Sequence, residues 1–107
     1  GIRCYTNGDL DQFPLARAFE DALSVITKGT SALALSFDLD ACDPSFAPGV
    51  GYPVPGGIMR RDLLEGFAYL KSRVAFDLVE VTEYYPDKDR GEETADLAKE
   101  ALGALLA

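Results

Sequence analysis

The stretch ALALSFDLD, residues 32–40, decides the fold of this chain. Its first six residues form a short, nearly continuous apolar run, which is typical of a strand buried on both faces of a parallel sheet. Asp38 and Asp40 stand at the carboxyl end of that predicted strand. In an extended segment, residues two apart point to the same side, so the two carboxylates are predicted to project together.

Strands and helices are predicted to alternate on both sides of this stretch. Three segments carry apolar residues at helical spacing, and three short apolar runs bounded by turn residues predict strands. In chain order, the predicted elements are a strand at 2–5, a helix at 14–29, a strand at 32–37, a helix at 60–71, a strand at 74–81 and a helix from 93. The order β-α-β-α-β-α predicts a parallel sheet with right-handed crossovers, covered by helices in a three-layer α/β/α arrangement.

Acidic residues mark the carboxyl ends of two predicted strands, where chemistry gathers in sheets of this kind. Asp38 and Asp40 end one strand, and Glu80 lies near the end of the next. Paired carboxylates suit hard cations such as Mg²⁺ or Mn²⁺. The Asp-x-Asp spacing by itself is weak evidence, because a solvated strand end explains such a pair more often than a metal site does. Residues 41–57 hold four prolines and four glycines among apolar residues, which favours a packed, stiff loop over a linker.

Composition narrows the class of partner. The chain has 107 residues, enough for one small domain, and its 18 acidic against 10 basic residues give a net charge of −8. Neither a nucleic acid nor an anionic membrane gains from contact with so acidic a protein, so neither is expected as a partner. No apolar run approaches the ~20 residues needed to span a bilayer.

The chain has two cysteines and no histidine, which indicates its redox environment and limits its metal ligands. Cys4 and Cys42 form no CxxC pair, which favours a reducing, cytoplasmic setting. The absence of histidine removes every imidazole ligand and base. Because the chain begins with Gly1 and not Met, we expect it to be a piece of a longer protein.

Residues 36–57, SFDLDACDPSFAPGVGYPVPGG, resemble the signature of the ureohydrolase family, which includes arginase, agmatinase and formimidoylglutamase. The matching positions are Ser36, Asp38, Asp40, Pro44, Pro48, Gly49 and Gly57. The run FDLVEV at 76–81 resembles the next strand of the family, and TADLA from Thr94 resembles its final helix. The resemblance implies that residues 1–107 are the C-terminal part of one incomplete domain with an arginase/deacetylase-like fold.

The resemblance also implies roles for individual residues. Asp38 matches an aspartate that bridges two manganese ions, Asp40 matches a ligand to one of them, and Glu80 matches the glutamate that binds the cationic group of the substrate. Asp43, Gly56 and Gly57 match positions that shape the loop. The implied reaction is manganese-dependent hydrolysis of a linear guanidino or amidino C–N bond by metal-activated hydroxide. The implied partners are a small guanidino or formimino substrate and, for the complete protein, further copies in a homo-oligomer.

The chain departs from the family pattern in two places. The family completes its metal site with a histidine and an Asp-x-His-x-x-Asp segment, and this chain has neither. We therefore expect the chain alone to be inactive and to bind manganese weakly. After Glu80, a longer polar segment replaces the usual Val-Asn-Pro type. Tyr84 and Tyr85 are expected there either to rim the substrate pocket or to cover a helix. A solvated acidic face is predicted to comprise Asp87, Asp89, Glu92 and Glu93.

Two other readings compete with the hydrolase. One is a non-catalytic remnant of the fold that serves as an interaction or oligomerisation module. The other is a metal-dependent deacetylase, which shares the broad fold but fits residues 36–57 less well.

Overall fold

The fold is built on two parallel strands, β1 (Ala34–Asp38) and β2 (Leu78–Thr82), in a computed structural model that describes residues 1–106. The helices are α1 (Asn7–Leu10), α2 (Leu15–Ile26), α3 (Arg60–Arg73) and α4 (Glu93–Leu105). Two short 3₁₀ turns, Leu39–Ala41 and Pro86–Lys88, follow the strands. In the strand register Ser36 lies opposite Glu80, and Asp38 lies opposite Thr82. The predicted α/β class with a parallel sheet is confirmed.

One face of the sheet carries the core. Side chains at alternate positions of the strands, Leu35 and Phe37 on β1 and Val79 and Val81 on β2, pack into the hydrophobic cluster formed with the helices. The Phe67 ring of α3 meets Phe37 edge-on, with ring centroids 5.0 Å apart. Strand alternation sends the intervening residues to the opposite face. Because one face packs into the core, the side chains of the opposite face are the ones exposed to solvent.

The other face of the sheet is exposed. Ala34, Ser36, Leu78 and Glu80 are all solvent-accessible, and Leu78 retains 60% of its surface. A strand buried on both faces was predicted from the apolar run at residues 32–37, and within residues 1–106 that prediction is wrong. The described part of the chain provides two of the three predicted layers.

The predicted strand at residues 2–5 is also wrong. These residues have no regular structure, and Ile2 is 95% exposed. Within residues 1–106, β1 and β2 pair only with each other, so no strand lies beside this segment. An apolar run becomes a strand only where a neighbour accepts its backbone hydrogen bonds.

β2 starts four residues later than predicted, and the residue just before it contacts the start of β1. The Asp77 carboxylate accepts the Leu33 N–H at 2.8 Å, and the Asp77 N–H donates to the Leu33 carbonyl at 2.8 Å. Asp77 thus ties the starts of the two strands together.

No helix in residues 1–106 combines the length and apolarity required to cross a bilayer.

Candidate active site

Asp38 ends β1 and turns the chain. It is the last strand residue, and its Oδ1 accepts the Asp40 N–H at 2.8 Å, which starts the 3₁₀ turn. Asp40 therefore lies in that turn and not in extended backbone. The argument that residues two apart point to the same side does not apply here, because the capping bond bends the chain between them. Both carboxylates nevertheless stand at the carboxyl end of β1, as expected.

The loop that follows holds Asp40 in place. Asp40 is half-buried, and its Oδ1 accepts the Tyr52 N–H at 2.9 Å. The residue lines a cavity of about 480 Å³ between the N-terminal segment, α2 and the loop at residues 54–58. Tyr5 lines the same cavity, and its buried hydroxyl has no hydrogen-bond partner within residues 1–106.

Asp43 organises the loop through both of its carboxylate oxygens. Oδ1 accepts the Ser45 N–H at 2.9 Å, and Oδ2 accepts the Gly56 N–H at 2.9 Å. Hydrogen bonds from the Ser45 hydroxyl, the Ser45 amide and the Gly56 amide lower the pKa of Asp43. Asp43 therefore joins the two ends of the loop that carries the Tyr52 amide.

Gly56 and Gly57 allow the loop to close. Gly56 has a φ of +91°, a region that L side chains rarely adopt. A Cβ on Gly57 would lie 2.6 Å from the Cys42 carbonyl carbon and 2.8 Å from the Ala41 carbonyl oxygen. The next residue, Ile58, donates its N–H to the Ala41 carbonyl at 2.8 Å. Only a glycine lets the backbone approach the end of the turn so closely.

A second set of contacts fixes the middle of the loop from the segment between β2 and α4. The Gly49 N–H donates to the buried Thr94 hydroxyl at 2.8 Å, and the Gly49 carbonyl accepts the Tyr85 N–H at 2.8 Å. Lys88 Nζ donates to the Gly51 carbonyl at 3.1 Å. The polar segment after β2 thus packs on the proline-glycine loop, with Tyr85 against Gly51.

Glu80 lies on the exposed face of the sheet, on the same side as Ser36 and Asp38. It stands opposite Ser36, so Asp38 is its diagonal neighbour, roughly 8 Å away between Cα atoms at ordinary strand spacing. Within residues 1–106, no hydrogen bond or ion pair engages the Glu80 carboxylate. The structure thus places Glu80 and Asp38 on one open surface, with Asp40 in the adjoining turn.

Asp89 proves to be a capping residue, so the predicted solvated acidic face is wrong at this position. Its Oδ1 accepts the Arg90 and Thr94 N–H groups, and its Oδ2 accepts the Ala95 N–H at 3.2 Å and the Tyr84 hydroxyl at 3.2 Å. Burial raises the pKa of Asp89, but the amide donors outweigh it and lower the pKa to about 2. The signal in the sequence was an aspartate shortly before a helix, where a carboxylate meets unpaired N–H groups.

Cys42 is fully buried in the loop. Burial, with the nearby charge of Asp38 as a second cause, raises the pKa of its thiol to about 12. The thiol is therefore protonated at neutral pH, in accord with a packing role and not a nucleophilic one.

The described residues supply an incomplete set of metal donors. No group of three or more aspartate, glutamate, cysteine or histidine side chains gathers into a cage within residues 1–106. Asp38 and Asp40 each use Oδ1 for a backbone N–H, and no described hydrogen bond reaches their Oδ2 atoms. Two such oxygens suit a hard divalent cation, but they fill only part of its coordination shell.

Similarity to known proteins extends along the whole chain. A model of the "Arginase family" matches residues 1–107. An arginase of Schizosaccharomyces pombe is 39% identical over 109 residues, covering 98% of this chain and 34% of that protein. An arginase of Bacillus caldovelox is 34% identical over 106 residues, covering 99% of this chain and 36% of that protein.

Solved structures agree with the sequence matches. The Bacillus caldovelox arginase structure superposes with a TM-score of 0.93 at 34% identity, covering 100% of this chain and 36% of that one. Formimidoylglutamase from Bacillus subtilis superposes with a TM-score of 0.90 at 26% identity, covering 97% and 32%. The chain spans about a third of the length of the curated relatives it matches. With a family model matched from end to end, this chain belongs to the arginase family.

Proposed function

We propose that this chain forms part of a manganese-dependent amidinohydrolase, which cleaves a C–N bond of a small guanidino or formimino substrate. One observation carries the proposal. Asp38 and Glu80 share one open surface of the sheet, with Asp40 in the turn that adjoins it, in a chain matched along its length by the arginase family.

Asp38 and Asp40 are the proposed metal ligands. Their Oδ2 atoms remain available, and carboxylate oxygens are preferred donors for Mn²⁺. Metal ions held by these residues and by donors outside the chain would supply a hydroxide nucleophile at neutral pH. Two carboxylates are too few for two ions, so the remaining donors are proposed to come from protein outside residues 1–106.

Glu80 is the proposed anchor for the substrate. A guanidinium is planar and presents parallel N–H groups, which match a carboxylate bidentately. Because Glu80 has no partner in the described residues, it can make that pairing without breaking another contact. The pairing would orient the electrophilic carbon toward the carboxyl end of β1, where Asp38 lies.

The experiment measures hydrolysis by the complete protein loaded with Mn²⁺. The panel comprises arginine, agmatine, formimidoylglutamate and guanidino acids, with release of urea, formamide or ammonia as the readout. We expect turnover of at least one of the four. A complete, Mn²⁺-loaded protein that hydrolyses none of them would reject the proposal.

Single substitutions test the proposed roles of Asp38, Asp40 and Glu80 separately. Asp38→Asn and Asp40→Asn should each weaken Mn²⁺ binding and lower kcat by roughly a hundredfold or more, since a metal ligand is lost. Glu80→Gln should lower kcat/KM by roughly thirtyfold or more with Mn²⁺ affinity unchanged, because a charge-assisted pair is replaced by a neutral one. Asp62→Asn, an exposed change of the same charge on α3, is the control.

The isolated chain provides a separate test of the incomplete donor set. Isothermal titration with Mn²⁺ should show weak binding, and the chain should not hydrolyse the panel. Submicromolar binding of two ions per chain would show that residues 1–107 complete the site by themselves.

A further inference from the structure

One peptide group joins Lys88 to Asp40. The carbonyl of Gly51 and the N–H of Tyr52 belong to the same planar unit. Its oxygen accepts Lys88 Nζ at 3.1 Å, and its N–H donates to Asp40 Oδ1 at 2.9 Å. An ammonium and a carboxylate thus hold opposite ends of a single rigid group.

The buried Val50 and its bridge to Tyr84 hold the backbone before this peptide, but the side chains of residues 51 and 52 do little to orient it. Glycine at position 51 permits backbone rotations that other residues forbid. The side chain of Tyr52 is 76% exposed, so packing does not hold it. A Cβ at position 51 would meet the Tyr85 ring at 2.8 Å and the end of the Glu83 side chain, so a larger residue would require these side chains to shift. The contacts observed on the peptide itself are hydrogen bonds at its two ends, from Lys88 Nζ and to Asp40 Oδ1.

Lys88 is placed to provide that orientation. It ends the 3₁₀ turn Pro86–Lys88, and its ammonium lies 5.1 Å from the centroid of the Tyr85 ring. Tyr85 in turn is tied to the loop through its N–H and the Gly49 carbonyl. A cation on the carbonyl oxygen also polarises the peptide and strengthens its N–H as a donor. The Lys88 contact therefore supports the bond from Tyr52 to Asp40.

We propose that Lys88 is a positioning residue for the metal ligand Asp40. It holds the Gly51–Tyr52 peptide, the Tyr52 N–H holds Oδ1, and Oδ2 is left in a fixed direction for a cation. The metal-binding part of this inference rests on the proposed function. The mechanical part, from Lys88 to the Tyr52 amide, does not.

The test uses the complete protein with three substitutions. Lys88→Met removes the ammonium and keeps most of the stem, whereas Lys88→Arg keeps a cationic donor. Lys71→Met is the matched control, since Lys71 also reaches a glycine carbonyl, that of Gly103 at 3.5 Å, between α3 and α4. The readouts are hydrogen exchange at the Tyr52 amide in metal-free protein, the Kd for Mn²⁺, and kcat and KM on the substrate panel.

Lys88→Met should speed exchange at the Tyr52 amide and raise the Kd for Mn²⁺ roughly tenfold, the usual effect of removing a group that orients a ligand. Lys88→Arg should restore both, and Lys71→Met should change neither. The loss should fall on Mn²⁺ affinity and kcat, with KM at saturating Mn²⁺ little altered, because Glu80 is untouched.

Equal Tyr52 exchange and equal Mn²⁺ affinity in Lys88→Met and Lys71→Met would overturn the inference. Wild-type protein without activity on the panel would defeat the proposed function instead. In that case the exchange measurement alone would still decide whether Lys88 orients the Tyr52 peptide.

Discussion

Removing the charge of Asp89 should weaken the fold through the start of α4. The carboxylate accepts three backbone N–H groups, from Arg90, Thr94 and Ala95, and the hydroxyl of Tyr84. Asn at this position keeps the shape but offers one neutral acceptor and brings an NH₂ group against N–H donors. Asp87→Asn is the matched control, because Asp87 is exposed two residues earlier and carries the same charge.

The pKa of Asp89 sets the size and the pH dependence of the effect. A pKa lowered from 3.8 to about 2 corresponds to about 2 kcal/mol of stabilisation of the ionised form. Because the folded pKa is depressed, this stability is fully present above pH ~5. It is lost as the pH falls toward 2, where the carboxylate takes up a proton in both states.

Urea denaturation followed by circular dichroism measures the effect on this chain. At pH 7, Asp89→Asn should lower the free energy of unfolding by about 2 kcal/mol, against about 0.5 kcal/mol or less for Asp87→Asn. The gap between wild type and Asp89→Asn should narrow between pH 5 and pH 3. Two variants of equal stability at pH 7, or a gap that does not change with pH, would refute the capping argument.

Two further predictions concern the loop. Gly57→Ala should destabilise the fold by about 3 kcal/mol or more in the same urea assay, because its Cβ would meet only backbone atoms of residues 41–43, which cannot move aside. Gly103→Ala, at an open position in α4, should instead stabilise the chain by about 0.5–1 kcal/mol, and a similar response of both glycines would contradict this reading. One thiol per native chain should react with a chromogenic disulfide reagent at pH 8, because Cys4 is exposed whereas burial raises the pKa of Cys42 to about 12. Both thiols should react in denaturant, and fast reaction of two thiols in the native chain would count against a closed loop.

The elements that sequence patterns located are those whose signals are local. Helical spacing of apolar residues placed α2, α3 and α4, and the apolar runs placed β1 and β2 within a few residues. The run at residues 2–5 carries a similar local signal and forms no strand. β1 and β2 pair with each other, whereas residues 2–5 have no partner strand within residues 1–106. Strand pairing depends on residues distant in sequence, so the apolar run alone does not predict it.

The candidate site divides in the same way. The strand pattern and the family resemblance located Asp38 and Asp40 at the carboxyl end of β1. Glu80 was expected near the end of its strand as well, but it lies in the middle of β2, opposite Ser36. The pattern and the resemblance did not reveal the turn that Asp38 caps, nor the hold of Tyr52 on Asp40. Those contacts use backbone N–H groups, which nearly every residue possesses. The residue types in the sequence therefore do not predict them.

The hydrogen bonds that each carboxylate oxygen accepts distinguish two kinds of aspartate in this chain. In one kind both oxygens hold backbone in place, and in the other one oxygen is left for a proposed ligand. Both carboxylate oxygens of Asp43 and of Asp89 accept hydrogen bonds within the described structure, so each is committed to holding backbone in place. Asp38 and Asp40 each commit Oδ1 alone. The oxygen that accepts a backbone N–H fixes the carboxylate, which would reduce the entropy lost if a cation bound there as proposed. The uncommitted oxygen supplies a charge with a defined direction. If the proposed metal site exists, it would depend on the backbone around it as much as on its ligands, and Gly57 and Lys88 would then affect it without touching the cation.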